Sequence, residues 1–325
     1  MAMDQAHKET DQKLEALEKK IREEYSKAEK DVEAKLQKYL DGFKKADEAK
    51  REQVKNGVIT REQYLKWRSG QMLTGQRWRD MRDALASDLS HSNQIAAAFI
   101  NDELPDIFAL NANYGTYEVE SGLRINTSFT LYNQDTVKRL MRDNPEIIPK
   151  VNPQIPKDKR WNRQKITSAV TQGILAGDSI PNIAKRLKEV TDMNTSAAIR
   201  NARTYVTAAE NGGRVDSYQR AVSMGIEMEQ MWQATLDGRT RNSHRWLDGE
   251  TIPVGEDEEF SNGCRYPGDP NGDPEEIYNC RCRVIGVLKE SPYQDYDRFS
   301  RLPADISYDD WKSGAYHTDK NGNVK

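Results

Sequence analysis

Between Gln5 and Val54 the apolar positions are sparse but regular: Leu14, Leu17, Ile21, Tyr25, Ala28, Val32, Leu36, Tyr39, Phe43 and Ala46 advance by steps of three and four. The stretch holds no proline and one glycine, and charges of both signs fill the gaps, so it predicts a long amphipathic helix. The steps average near an 11-residue repeat, which suits straight or slightly right-handed pairing better than a strict heptad. So narrow a stripe needs a cover, either a partner surface or the rest of the chain. The expectation is a docking or self-association helix of coiled-coil character.

Asn56-Gly57 breaks the pattern, and Thr60-Arg-Glu-Gln63 is a capping-box signature for a second helix towards Leu89, with Trp67, Met72, Trp78, Met81 and Leu85 as its buried face. A third helical piece, 93–110, is expected to be interrupted near Pro105, and 117–132 mixes β-formers with Gly122 as in a strand pair or irregular loop. Pro145, Pro149, Pro153 and Pro156 mark an extended connection. Helical spacing then returns over 162–175, ending near Gly177, over 180–190 with Pro181 in the first turn, and over 196–224. From Met231 the texture becomes short apolar runs with Gly, Pro, Asp and Cys, which predicts a small loop-rich module with short strands, one of them Arg283–Leu288. Ser307 is placed to cap a short helix carrying Trp311. The fold class expected is mainly α with a small α+β C-terminal module. Its regions are a helical part at 1–144, a Pro-rich basic linker at 145–161, the module at 162–288 and a tail at 289–325.

Composition narrows the function classes. At 325 residues the chain suits about two domains. With 36% apolar and 31% charged residues and a mean hydropathy of -0.91, it favours long solvated helices over one large core. No apolar run approaches a membrane span, and the start lacks a basic-then-apolar leader, so no membrane partner and no export are expected. Acids (52) and bases (49) nearly balance, so nucleic-acid affinity needs a local patch. Residues 138–165 supply one, with nine bases against three acids; Lys150, Lys157, Lys159, Arg160 and Arg163 are its candidate contacts to double-stranded DNA phosphates or to an acidic partner. A plain solvated linker fits the same residues. Residues 248–276 hold ten acids against one base and would repel DNA.

Three cysteines do not form a disulfide framework. His244, Cys264, Cys280 and Cys282 are the candidate zinc set, because zinc favours four soft or borderline ligands, although one residue between Cys280 and Cys282 is closer than the usual knuckle. The alternative is three ordinary thiols, and no cofactor is the expectation. Asp269, Asn271 and Asp273 alternate like a calcium loop but lack its glycine and glutamate positions. Asp237, His244 and Asp248 are close enough in sequence for a metal-dependent nuclease or hydrolase cluster, but no phosphate-binding glycine loop, nucleophile elbow or H-E-x-x-H accompanies them. Trp232 with Asp237-Gly238 reads as a strand and turn, with Asp237 pairing Arg239 or Arg241.

Ala202-Arg-Thr204, Asn211-Gly-Gly-Arg214, Tyr218, Gly225, Trp232-Gln-Ala-Thr-Leu-Asp237, Arg239-Thr-Arg241, His244, Leu247-Asp248-Gly249, Pro267-Gly-Asp-Pro270 and Asn279-Cys280-Arg-Cys282 follow one another in an order and spacing that resembles the Mu F-like head morphogenesis proteins of tailed bacteriophages. The resemblance covers 162–288. It implies a low-copy, non-enzymatic minor capsid protein of the virion, assembled in the host cytoplasm. Its implied partners are the portal protein and the scaffold or major capsid protein, inside the procapsid near the portal vertex, and its implied work is assembly, DNA packaging or ejection. Some relatives carry His-Pro where Ile277-Tyr278 stands here, which counts against a metal, and some carry an ADP-ribosyltransferase domain for which the residues after Leu288 are too few.

Overall fold

The computed structural model describes residues 4–41, 44–73, 76–176, 178–289 and 299–314. In chain order the described elements are α1 (Gln5–Asp41), α2 (Lys44–Lys55), α3 (Arg61–Leu73), α4 (Gln76–Leu123), β1 (Ile125–Asn126), α5 (Gln134–Asp143), α6 (Ile155–Ala176) and α7 (Ile180–Ser223). They continue with β2 (Met228–Gln233), α8 (Asn242–Trp246), β3 (Thr251–Pro253), α9 (Pro274–Ile277), β4 (Arg283–Leu288), β5 (Ser300–Arg301) and α10 (Tyr308–Ser313). The fold is mainly helical with small sheets towards the C-terminus, as expected. Among the described residues no helix is long and apolar enough to cross a membrane.

The chain forms two compact units whose segments interleave, one of residues 17–99 and 152–199, the other of 1–16, 100–151 and 200–325. This differs from a cut at a central linker, because the long helices α1, α4 and α7 each contribute to both units. The proline-rich stretch is also shorter than expected. Pro156 sits in the first turn of α6, where a missing amide hydrogen costs nothing, so the helix starts at Ile155 and absorbs Lys157, Lys159, Arg160 and Arg163.

The first unit is all helical. Ala28, Val32, Leu36 and Tyr39 of α1 pack with Trp78, Met81, Leu85 and Leu89 of α4, Ile166 and Val170 of α6 and Leu187 and Val190 of α7. Leu17, Ile21 and Tyr25 are buried too. The apolar stripe is therefore covered by its own chain, which corrects the docking-helix expectation; Ala46 is exposed and Phe43 lies outside the described residues. The capping box is formed as read: the Gln63 amide donates to Thr60 Oγ1 at 3.1 Å and the Thr60 amide to Gln63 Oε1 at 2.8 Å. Trp78, Met81 and Leu85 are buried, Trp67 is half-buried and stacks on Tyr64, and the side chain of Met72 lies outside the described ones. A polar thread crosses this core, from Asn194 to Asn162 at 2.9 Å and on to Ser90 at 3.3 Å.

In the second unit Pro105 does not interrupt α4. An internal proline costs a helix about 3 kcal/mol, and complete burial of Leu104, Ile107 and Phe108 around it offsets that cost. The helix runs on through most of the stretch expected as strands, leaving only β1, which pairs antiparallel with β5. The 180–190 and 196–224 pieces are one helix, α7, and Gly177 lies outside the described residues. α7 approaches α4 closely at Gly213, where a β-carbon would fall 2.5 Å from the Phe108 carbonyl oxygen. The three-stranded antiparallel sheet has order β3-β2-β4, with Trp232 opposite Val284 in the β2–β4 register. Trp232, Tyr218, Phe260, Leu247 and Val284 centre its core. The Ser307 cap and Trp311 of α10 are as expected, and Trp311 packs with Tyr308 against Tyr114 and Leu110 of α4.

Candidate functional site

The site lies wholly in the second unit, around a cavity of about 500 Å³. One wall is made by the first turns of α1 (His7, Thr10, Asp11, Leu14), another by α7 (Arg203, Val206, Thr207, Glu210), and the remainder by 235–244 and 279–282. α1 is held there by Ala6, which is fully buried, by Asn111 donating to Thr10 Oγ1 at 2.9 Å, and by Lys13 pairing with Asp106 at 2.5 Å.

At the cavity edge His244, on the short α8, meets the chain leading into β4. Its Nδ1 lies 3.3 Å from Cys282 Sγ and 3.6 Å from Cys280 Sγ, and its Nε2 lies 3.0 Å from Glu276 Oε2. His244, Cys280 and Cys282 are all buried. Despite the single-residue spacing of the cysteines, unfavourable for a knuckle, both sulfurs lie near the same imidazole nitrogen, in the irregular segment just before β4. Asn279, in the left-handed region at φ 54°, turns the chain into that segment, and its amide donates to Thr204 Oγ1 at 3.2 Å. Thr207 Oγ1 donates to the Cys280 carbonyl at 2.8 Å. Fully buried Asn211 of α7 donates to the carbonyls of Pro267 (3.0 Å) and Cys282 (3.2 Å) and accepts from the Val284 amide at 2.7 Å, fixing both loops to the helix.

The Cys282 thiol is drawn down to about 4, first by its hydrogen bond with Cys280 and further by His244, against the effect of burial. Cys280 moves the opposite way, because its proton is held between the two sulfurs and because it is buried. Cys264 stands apart from this cluster, against Gly272, which corrects its place in the expected zinc set. Burial and the carboxylates of Asp269 and Glu276 push its thiol up to about 12, so it stays neutral.

The other candidates are engaged in local hydrogen bonds and ion pairs. Asp237 is bound by Arg281 through two contacts of 2.6 and 2.7 Å, while Arg239 is 3.9 Å away and Arg241 donates instead to the carbonyls of Glu276 and Tyr278. Of the two expected partners, Arg239 forms this looser ion pair and also donates its amide to Asp237 Oδ1 at 2.8 Å, Arg241 does not pair with it, and Arg281 makes the closest contacts. This pairing, led by the Arg281 hydrogen bonds, holds the Asp237 carboxyl well below the usual range. Asp248 accepts from the Ala234 amide at 2.9 Å, and Gly249, at φ 83°, donates to the Trp232 carbonyl at 2.9 Å. Asp237, His244 and Asp248 therefore have three separate sets of partners and do not converge as a nuclease cluster. The calcium-like carboxylates are also engaged: Asp269 by Arg265 at 2.8 Å, and Asp273 in capping α9.

The basic stretch is divided. Lys150 belongs to the second unit, where Asn101 holds Val151 by paired hydrogen bonds of 3.0 and 2.9 Å, whereas Lys157, Lys159, Arg160 and Arg163 belong to α6 of the first. Arg163 pairs with Asp83 at 3.0 Å.

Sequence reasoning missed His7, Glu210, Glu276 and Arg281. His7 Nδ1 is 2.6 Å from Glu210 Oε1. Burial opposes its charge, but the hydrogen bond and attraction to Glu210 outweigh that, so His7 holds its proton more firmly than a free histidine. Its contribution to stability is complete below about pH 6.5 and is lost as pH rises through the higher folded value. Thermal melts between pH 6 and 9 should show that decline, and His7→Gln should flatten it.

A family described as Phage Mu protein F like protein matches residues 164–285. The matched segment contains all of β2, α8, β3 and α9 and the His244, Cys280 and Cys282 cluster. Over 307 residues, 91% of each chain, the protein is 26% identical to "Minor head protein GP7" of Bacillus phage SPP1. It is 30% identical over 199 residues to "NAD(+)--arginine ADP-ribosyltransferase EFV" of Enterococcus faecalis, covering 60% of this chain and 40% of that one. It is 29% identical over 130 residues to the uncharacterized protein YqbB of Bacillus subtilis, covering 38% of this chain and 41% of that one. The chain thus spans well under half the length of two of these three relatives. No solved structure matches it.

Proposed function

We propose that the chain is a phage minor head protein that acts by binding, seated on the portal protein inside the procapsid during head assembly. The match to a minor head protein along 91% of both chains supports the role, and the Mu F-like segment supports it independently. The geometric observation that carries the binding reading is Trp246. It is 86% exposed at the end of α8, with Leu236 (60%) and Tyr278 (45%) also open on the segments that flank the cysteine pair. These segments are held rigid by Arg241 on the Tyr278 carbonyl, by Arg245 on the Asp237 carbonyl and by the Arg281–Asp237 pair. Exposed aromatics on a stiff frame lose little entropy on binding and supply most of the energy in protein interfaces. Asp237, Asp248 and the arginines are engaged in holding this frame, which is why a binding role suits the site better than catalysis.

Purified chain should bind purified portal protein. Trp246→Ala should weaken that binding by about 2 kcal/mol, close to 30-fold, with the melting temperature unchanged because the ring is exposed. Unaltered affinity in Trp246→Ala would remove this face from the interface. Absence of any binding by the unsubstituted chain would remove the portal as its partner.

A further inference from the structure

We propose that His244 Nδ1, Cys280 Sγ and Cys282 Sγ hold one zinc ion whose fourth position faces the cavity and is taken by water. In a tetrahedral zinc site with bonds of about 2.3 Å to sulfur and about 2.0–2.1 Å to nitrogen, the nitrogen–sulfur edge is about 3.6 Å. The two edges here are 3.3 and 3.6 Å, and the three donor atoms all lie within 4.8 Å of one another. Two thiolates with one imidazole are a borderline-soft donor set that suits zinc over magnesium or calcium.

The surroundings fit a metal better than a packed thiol pair. Glu276 Oε2 sits 3.0 Å from Nε2, on the far side of the ring from the sulfurs. Nε2 makes no aligned hydrogen bond, but a carboxylate at this distance favours the tautomer with the proton on Nε2, which leaves Nδ1 free towards the thiols. The Cys282 amide donates to Cys280 Sγ at 3.4 Å, a hydrogen bond that would also steady that sulfur as a metal-bound thiolate. Trp232, edge-on to the imidazole at 5.3 Å, fixes the ring plane. All three donor residues line the 500 Å³ cavity, so the side of the ion opposite the protein opens onto that space. Cys264 is excluded by its position against Gly272. The ion would fasten α8 to the chain entering β4, two segments joined otherwise by the Arg241 hydrogen bonds.

The test uses the full chain, stripped with a chelator, reloaded with zinc alone and assayed for metal. About one zinc per chain is expected, with a higher melting temperature in the loaded form. Zinc-edge X-ray absorption should give two sulfurs and two nitrogen or oxygen neighbours. Cys264→Ser should keep the ion, Cys282→Ser should lose it, and Glu276→Gln should keep the stoichiometry while weakening affinity about 10–100-fold. Failure of the unsubstituted chain to take up zinc would overturn the proposal, whatever the variants do. So would a shell of three sulfurs, which brings in Cys264 or a second chain, or zinc retained in a folded Cys282→Ser.

Discussion

Trp232→Ala should unfold the second unit or leave it barely folded. Trp232 is fully buried in the middle strand of the three-stranded sheet, edge-on to Phe260 at 5.2 Å and to His244 at 5.3 Å. It is the largest of the fully buried side chains. The sheet has only three strands, and much of the surrounding chain is loop, so no neighbouring element is free to collapse into the space the indole leaves. Truncation of a buried tryptophan costs about 3–5 kcal/mol, against a total of about 5–15 kcal/mol for a typical domain. Urea unfolding followed by far-ultraviolet circular dichroism should show that loss as a lowered midpoint with little change in slope. Trp232→Phe keeps an aromatic ring between Phe260 and His244 and should lose much less. Equal losses in the two variants would mean that the indole's size is not what matters there.

Arg214→Met should cost a comparable amount by a different route. Arg214 has no exposed side-chain surface; its guanidinium pairs with Asp4 at 2.9 Å and Glu118 at 3.2 Å and lies over the Tyr114 ring. Tyr218 adds a hydrogen bond to the same Glu118 oxygen at 3.1 Å. Removing one partner of a buried pair leaves the other charge stranded, and the usual cost is about 3–5 kcal/mol. Burial already pushes the Glu118 carboxyl above its ordinary value, and Arg214 is the main force pulling it back. Without Arg214 it should rise further, so folded Glu118 binds a proton that the unfolded chain releases. The deficit of Arg214→Met should then be greatest at neutral pH and shrink as pH falls towards the unfolded carboxylate value of about 4.3. Adding Glu118→Gln should recover a large part of the loss at pH 7. A double-mutant cycle with no coupling between the two positions would contradict this account of the pair.

These two residues also show how unevenly the structure could be read in advance. Features fixed by neighbours in sequence were legible: the Thr60–Gln63 box, the Ser307 cap, strand β4 and the burial of Trp78, Met81 and Leu85. Each depends on local hydrogen bonds or on side-chain periodicity. The α1 stripe was equally legible as a stripe, but periodicity says only that a face will be covered. Whether the cover is Trp78 and Val170 of the same chain or another protein is a tertiary fact. Pro105 misled for a related reason: a local penalty of a few kcal/mol was outweighed by burial of Leu104, Ile107 and Phe108, contributed by long-range packing.

The site divides in the same manner. His244, Cys280 and Cys282 were found because their residue types are rare in this chain, and their close spacing was no obstacle because the irregular segment before β4 brings both sulfurs near one imidazole nitrogen. Cys264 was included on type alone and falls outside. His7 and Glu210 reach the cavity from segments about two hundred residues apart. Nothing in a solvated, charge-rich helix start distinguishes His7 from its neighbours. Arg281 was hidden because its partner, Asp237, is 44 residues away in sequence.

The central claim, that the chain enters the head by binding the portal, is tested most directly by quantifying it in purified procapsids assembled with and without the portal protein. The account predicts a fixed, low number of copies in portal-containing procapsids and none above background in portal-less ones. Equal amounts in both, or none in either, would contradict it.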